Sequence, residues 1–126
     1  PWTTVVLRKG YGLGAMAMAG GGFHSNAMTV SWPTGEFGGM GLEGAVRLGY
    51  SKELAAIADE KERAELEAKL IARAYEHGSA LNMASHVEID DVIDPAETRQ
   101  HILSIIGTSK SWRARDGKKR PMVDSW

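Results

Sequence analysis

The chain has 126 residues, of which 43% are apolar, with 15 basic and 16 acidic side chains and a formal charge of −1. That balance gives no reason to expect nucleic acid or an anionic membrane surface as a partner. The absence of cysteine excludes a disulfide framework, a thiol nucleophile and a thiolate metal site. Apolar runs are too short and too rich in glycine to cross a bilayer, and nothing reads as a secretion signal, so a cytoplasmic location is expected.

Thr3 to Arg8 is rich in β-branched residues and reads as a buried strand. The chain then bends at Gly10, Gly12 and Gly14, where the missing Cβ atoms allow positive φ or close approach by a second molecule. Ala15, Met16, Ala17, Met18 and Ala19 follow as a run of small or flexible side chains suited to a tightly packed helix. The first N–H groups of such a helix have no internal partner and carry partial positive charge, so they suit an anion or a transition-state oxyanion. The glycine spacing is neither G-x-G-x-x-G nor the Gly-Lys-Ser/Thr ending of a phosphate loop. On pattern alone a ligand-facing turn and a purely structural turn both stand.

Gly20, Gly21 and Gly22 close the helix and permit a left-handed exit. His24 lies in a polar link without a second ligand at metal spacing, and Ala27 to Trp32 returns as a strand. Pro33 ends that strand, and Glu36 opens a short extended piece containing Phe37. Met40-Gly41-Leu42-Glu43-Gly44-Ala45 then reads as a second helix start, with Gly41 and Gly44 allowing close packing against the first glycine turn. Glu43 invites a general-base role but is read as structural.

Beyond Ser51 the composition turns helical. Lys52 to Ala58 is expected to form one short helix and Glu60 to His77 a longer one, with Ala64, Leu66, Leu70, Ile71 and Ala74 on its apolar stripe and Glu65 and Lys69 paired on its surface. The charges of Asp59 to Arg63 read as a solvated bend, and Gly78 as a terminator. Asn82 to Ile89 is expected to hold a short edge strand or extended segment. Asp94, Pro95 and Glu97 resemble a capping box for a last helix that ends near Ile106 and buries Ile102, Leu103, Ile105 and Ile106, with His101 on its polar side. Lys110 to Arg120 carries a concentration of basic residues against the single acid Asp116 and reads as an exposed tail, giving an expected division into 1–107 and 108–126.

Arg8-Lys9-Gly10-Tyr11-Gly12-Leu13-Gly14-Ala15, Ser31-Trp32-Pro33-Thr34, Met40-Gly41-Leu42-Glu43-Gly44-Ala45 and Ile93-Asp94-Pro95-Ala96-Glu97-Thr98-Arg99 together resemble the carboxyltransferase (beta) component of biotin-dependent acyl-CoA carboxylases, the propionyl-CoA and acetyl-CoA carboxylase group. The resemblance implies a crotonase-type α/β fold, a superhelix of strand-strand-helix units, of which this chain is part of the C-terminal domain. It implies carboxyl transfer from carboxybiotin, carried on a partner domain, to the α-carbon of an acyl-CoA, with biotin's own ureido nitrogen as base. Expected partners are the N-terminal carboxyltransferase domain, the biotin carboxyl carrier, the biotin carboxylase subunit and further copies of the full-length subunit.

By the same resemblance, N–H groups at Leu13, Gly14 and Ala15 polarise the biotin ureido oxygen. Tyr11, Gly12, Met40, Gly41 and Gly44 wall the biotin channel, and no metal is involved. The first strand would insert among strands supplied from outside the chain. Two other classes remain in view: a crotonase-fold hydratase, isomerase or decarboxylase acting on an acyl-CoA, and a small α/β interaction module.

Overall fold

The computed structural model describes residues 2–108. The tail of 109–126, including the basic stretch Lys110 to Arg120, lies outside the described residues, and the expected boundary at 107/108 falls at the end of the last helix. The β-branched opening forms β1 (Thr3–Val6), which pairs in parallel with β3 (Met28–Ser31), and β3 in turn pairs in parallel with the two-residue β5 (Asp91–Val92). All four residues of β3 are buried, as befits the middle strand.

The first strand does not run unbroken to Arg8. It ends at Val6, and the chain steps at Leu7 and Arg8 into β2 (Lys9–Tyr11), which belongs to a second, two-stranded parallel sheet with β4 (Glu36–Gly38). Gly10 is therefore a buried strand residue and no part of a turn. A Cβ there would lie 3.4 Å from Val6 and 3.5 Å from the Phe37 ring, an ordinary contact distance.

Among the described residues, six α-helices accompany the strands: α1 (Gly12–Met18), α2 (Leu42–Gly49), α3 (Ser51–Ala56), α4 (Glu60–His77), α5 (Ala80–Ser85) and α6 (Thr98–Thr108). α1 ends as anticipated at Gly20, whose φ is 72°, with Gly20 and Gly21 N–H donating to the carbonyls of Ala17 and Met16. Asp59 caps α4, its carboxylate accepting from the N–H groups of Lys61 and Glu62 at 2.9 Å, so that charged stretch holds a helix start as well as a solvated bend. The expected Glu65 to Lys69 pair is not among the ion pairs of the described residues; α4 instead places Glu67 2.7 Å from Arg47 of α2.

Two further expectations are corrected. Asn82 to Ile89 forms no strand: Ser79 caps α5, accepting from the Asn82 N–H, and Ala80 is fully buried against Val6, Phe37 and Ile89. Asp94 does cap, accepting from the Ala96 N–H at 2.8 Å, but Pro95–Glu97 is a 3-10 turn before α6, and Glu97 lies 3.9 Å from His101 without closing a capping box. α6 meets the second core cluster of Met28, Val30 and Ile93 through Ile105, while Leu103 and Ile106 are about half exposed, contrary to expectation.

α5 ends in the same hydrogen-bond pattern as α1, with Val87 and Glu88 N–H donating to Ala84 and Met83, but the left-handed position is Val87 at φ 60°. A β-branched residue is strained there. Val87→Gly is expected to stabilise the chain by about 1 kcal/mol, read as a higher denaturant midpoint at unchanged slope.

Candidate functional site

Parallel pairing sets Lys9 opposite Glu36, Gly10 opposite Phe37 and Tyr11 opposite Gly38. Since α1 begins directly after β2 and α2 begins four residues after β4, two helix starts open beside one another at the same end of this sheet. The contact between them is backbone on backbone. Gly12 has φ +55°, and a Cβ on it would lie 2.5 Å from the Gly39 carbonyl oxygen, so both conformation and space demand glycine. At Gly38 a Cβ would lie 2.8 Å from Leu42 and 3.1 Å from the Met40 carbonyl oxygen.

Close packing was expected through Gly41 and Gly44. Nothing lies within 4 Å of a Cβ at Gly41, and at Gly44 only the Met40 methyl does, at 3.6 Å. The approach is carried by Gly12, Gly38 and Gly39 instead, while Gly41 caps α2 and Gly44 faces outward.

Neither helix start has a side-chain cap. At α2 the Ala45 N–H donates to the Gly41 carbonyl at 2.9 Å, so the preceding N–H groups of Leu42, Glu43 and Gly44 have no intrahelical acceptor. The same geometry in α1 commits Ala15 to the Tyr11 carbonyl and leaves Gly12, Leu13 and Gly14. Leu13 is 79% exposed and Gly14 opens onto free space, whereas Ala15 is half-buried. Met40 stands exposed beside the second start.

Two tyrosine–carboxylate bonds brace these walls. The Tyr11 hydroxyl donates to Glu36 Oε2 at 2.8 Å, with Arg8 Nε 3.9 Å from the other oxygen. The Tyr75 hydroxyl, arriving from α4, donates to Glu43 Oε1 at 2.5 Å. Burial and then the Glu36 bond push the Tyr11 phenol well above its ordinary range. The Tyr75 bond and then a bond from its own backbone N–H, assisted by Lys9 and Arg47, pull Glu43 below its ordinary 4.5, and the Tyr75 bond raises Tyr75. Near neutrality both phenols therefore stay protonated and Glu43 stays ionised. A base depressed in this way is poorly matched to proton abstraction.

A family model described as "Carboxyl transferase domain" matches residues 1–121. The chain belongs to that family. It is 37% identical over 110 residues to the methylmalonyl-CoA carboxyltransferase 12S subunit of Propionibacterium freudenreichii, covering 84% of this chain and 20% of that one. It is 32% identical over 121 residues to the carboxyltransferase subunit of a Haloferax mediterranei propionyl-CoA carboxylase, covering 95% and 23%. The chain thus spans about a fifth of the length of the curated relatives it matches. Among solved structures, the transcarboxylase 12S crystal structure superposes with a TM-score of 0.77 at 32% identity, over 94% of this chain and 22% of that one. A single-chain, multi-domain long-chain acyl-CoA carboxylase gives 0.65 at 57% identity, over 80% and 10%. The fold is accordingly the crotonase-type α/β fold of carboxyltransferase domains.

In this carboxyl transferase chain, sequence reasoning reached both glycine turns but missed Tyr75 and the partners of Glu36. Tyr75 follows Ile71 by one helical turn and so lies on the α4 face toward α2, a signal available from spacing. His24, 3.3 Å from Glu88, lines one cavity together with Gly12, Ala15, Gly38 and Gly39. Among the described residues no group of three or more His, Cys, Asp or Glu could hold a metal, and no helix is long and apolar enough to cross a membrane.

The glycines separate by role. Gly12→Ala is expected to destabilise by about 1–3 kcal/mol through strain and the Gly39 contact, while Gly14→Ala, in helical conformation with free space, should be neutral or stabilising by up to about 1 kcal/mol. Equilibrium denaturation of both variants checks this. For Glu43, the contribution of its ionised form to stability is present above the ordinary 4.5 and lost as pH falls through the lower folded-state value. Carboxyl NMR titration should show Glu43 titrating below 4.5, and Tyr75→Phe should return it toward that value.

Proposed function

We propose that this chain supplies the biotin-facing half of a carboxyltransferase site, in an enzyme that moves the carboxyl group of carboxybiotin to the α-carbon of an acyl-CoA. The observation that carries this reading is the pair of uncapped helix starts held together at Gly12 and Gly39, in a chain of the carboxyl transferase family. The open space at Gly14 and Gly41 fits a flat ureido ring brought against backbone, since no side chain stands between ligand and N–H groups there. When bound, carboxybiotin supplies the carboxyl group together with a ureido nitrogen able to act as base.

This chain's own part is to hold and polarise. The N–H groups of Leu13 and Gly14, flanked by Ala15, donate to the ureido oxygen, and Tyr11, Gly12, Met40, Gly41 and Gly44 shape the channel. Fixed donors of this kind need no reorganisation as charge develops, and one is worth about 3–4 kcal/mol in well-studied hydrolases. Glu36 and Glu43 beside the walls both accept from tyrosines, while Glu88, on the cavity shared with Gly12 and Gly39, lies 3.3 Å from His24. That commitment favours a reaction needing no protein base here over a hydratase or isomerase.

The acyl-CoA oxyanion donors and acyl pocket, the biotin carboxyl carrier and the biotin carboxylase come from outside this chain on this reading. The full-length subunit is proposed to act as a homo-oligomer, in line with the hexamer assembly named for the transcarboxylase 12S structure. Residues 1–107 would form the carboxyltransferase part and 108–126 a separate tail.

The test is a carboxyl-transfer assay of the full-length subunit with carboxybiotin and a series of acyl-CoA lengths, run beside the 126-residue chain. Transfer is expected from the full-length protein and none from the chain alone, because bringing both substrates into contact accounts for several kcal/mol of the barrier. Leu13→Pro, which removes one N–H in a first turn that tolerates proline, should lower the full-length rate about 100-fold or more. Hydration without dependence on biotin would replace this reading with the hydratase one.

A further inference from the structure

The cavity that Gly12 and Gly39 share continues past the glycine walls. It holds about 660 Å³ and is lined along one face of α1 by Gly12, Ala15 and Met16, then by Gly22 to Ser25 beyond the end of that helix. It therefore follows α1 for its whole length, about 10 Å for seven residues. Phe23, Phe37 and Met83 complete an apolar lining, in which unbranched methionines adapt to a flexible ligand.

The polar side chains on this cavity, among the described residues, gather at one end. The walls follow the ends of β2 and β4, whereas His24 and Glu88 come before the starts of the parallel strands β3 and β5. His24 Nε2 lies 3.3 Å from Glu88 Oε2, and the two side chains are 69% and 51% exposed, so this end opens to solvent. The left-handed Val87 sets Glu88 in place: the Glu88 N–H donates to the Met83 carbonyl at 3.0 Å, which returns the chain to the cavity that Met83 lines. Strain at Val87 thus has a counterpart at the mouth.

We propose that this cavity is the passage for the side arm of carrier-borne biotin: the ureido ring at the glycine walls, the aliphatic arm against Met16, Phe23 and Met83, and the amide joining biotin to its carrier between His24 and Glu88. The inference rests on the biotin-facing reading given above. A ligand tethered to a second protein needs a route that is apolar along its methylenes, polar at its amide and open where the carrier stands. The cavity presents those surfaces in that order. The amide N–H suits the Glu88 carboxylate and its carbonyl suits an imidazole N–H, whereas the apolar end of an acyl chain would gain nothing from the pair.

The test is a ligand-observed NMR titration of the full-length subunit with two probes: biotin methylamide, which carries the arm and its amide, and the bicyclic ureido nucleus without a side chain. Met83→Trp, which fills the cavity, is expected to raise the Kd of biotin methylamide more than about tenfold, the loss when two methylenes leave an apolar lining, while the nucleus stays within about twofold. Glu88→Ala, at an exposed position, should raise the Kd of biotin methylamide about fivefold, the effect of one hydrogen bond, and again spare the nucleus. A merely structural effect of either substitution would shift both probes alike. Equal shifts for the two probes, or an unchanged Kd for biotin methylamide in both variants, overturn the passage while leaving the function standing. Selective weakening of a long-chain acyl-CoA in Met83→Trp, with biotin methylamide unaffected, also overturns it and makes the cavity an acyl site. Failure of the unsubstituted subunit to bind either ureido probe overturns the biotin-facing reading as well.

Discussion

The close approach of Gly12 to the Gly39 carbonyl oxygen is the constraint on which the rest of this arrangement depends. It requires β2 and β4 to be parallel neighbours, so that the segments leaving their ends can touch. It also requires Gly12 to take positive φ so that α1 can begin at once. Neither start receives a capping side chain from its N-cap residue, Tyr11 or Gly41.

The core supports that contact from below. Phe37 pairs with Gly10 across the small sheet and joins Val6, Ala80 and Ile89, with its ring edge-on to Phe23 at 5.6 Å between centroids. One side chain therefore links the strand under the second wall to the first strand of the larger sheet and to the buried start of α5. A change in Phe37 packing would be transmitted to Gly38 and Gly39, the next two residues, without touching them directly.

Much of this was legible from residue types. β3 was readable because Met28 to Ser31 are bounded by a polar link and Pro33, and α4 because its apolar residues recur at helical spacing. The break at Leu7 and Arg8 was not, since no glycine or proline marks a strand changing sheets. Gly10 misled in the opposite sense: glycine suggests a turn, but here it is a buried strand residue paired with Phe37. α5 was lost because six residues give a weak periodicity, and the Ser79 cap and the burial of Ala80 decide the conformation. At the site, glycines announced close backbone approach but not which pair meets, because that depends on strand register.

The placement of Glu36 and Glu43 beside two helix starts is the least expected feature from charge alone. Each carboxylate would weaken the positive potential of the helix start near it. Pairing them with lysine or arginine would neutralise the charge, yet would bring a strong, mobile donor able to bind the ligand oxygen in place of the backbone. A tyrosine offers one donor on a rigid ring, and its phenol stays protonated here because burial and the carboxylate, at Tyr11, or the carboxylate bond foremost, at Tyr75, raise it. The tyrosine bonds hold the acids in place, with Arg8 and Lys9 exposed at the rim.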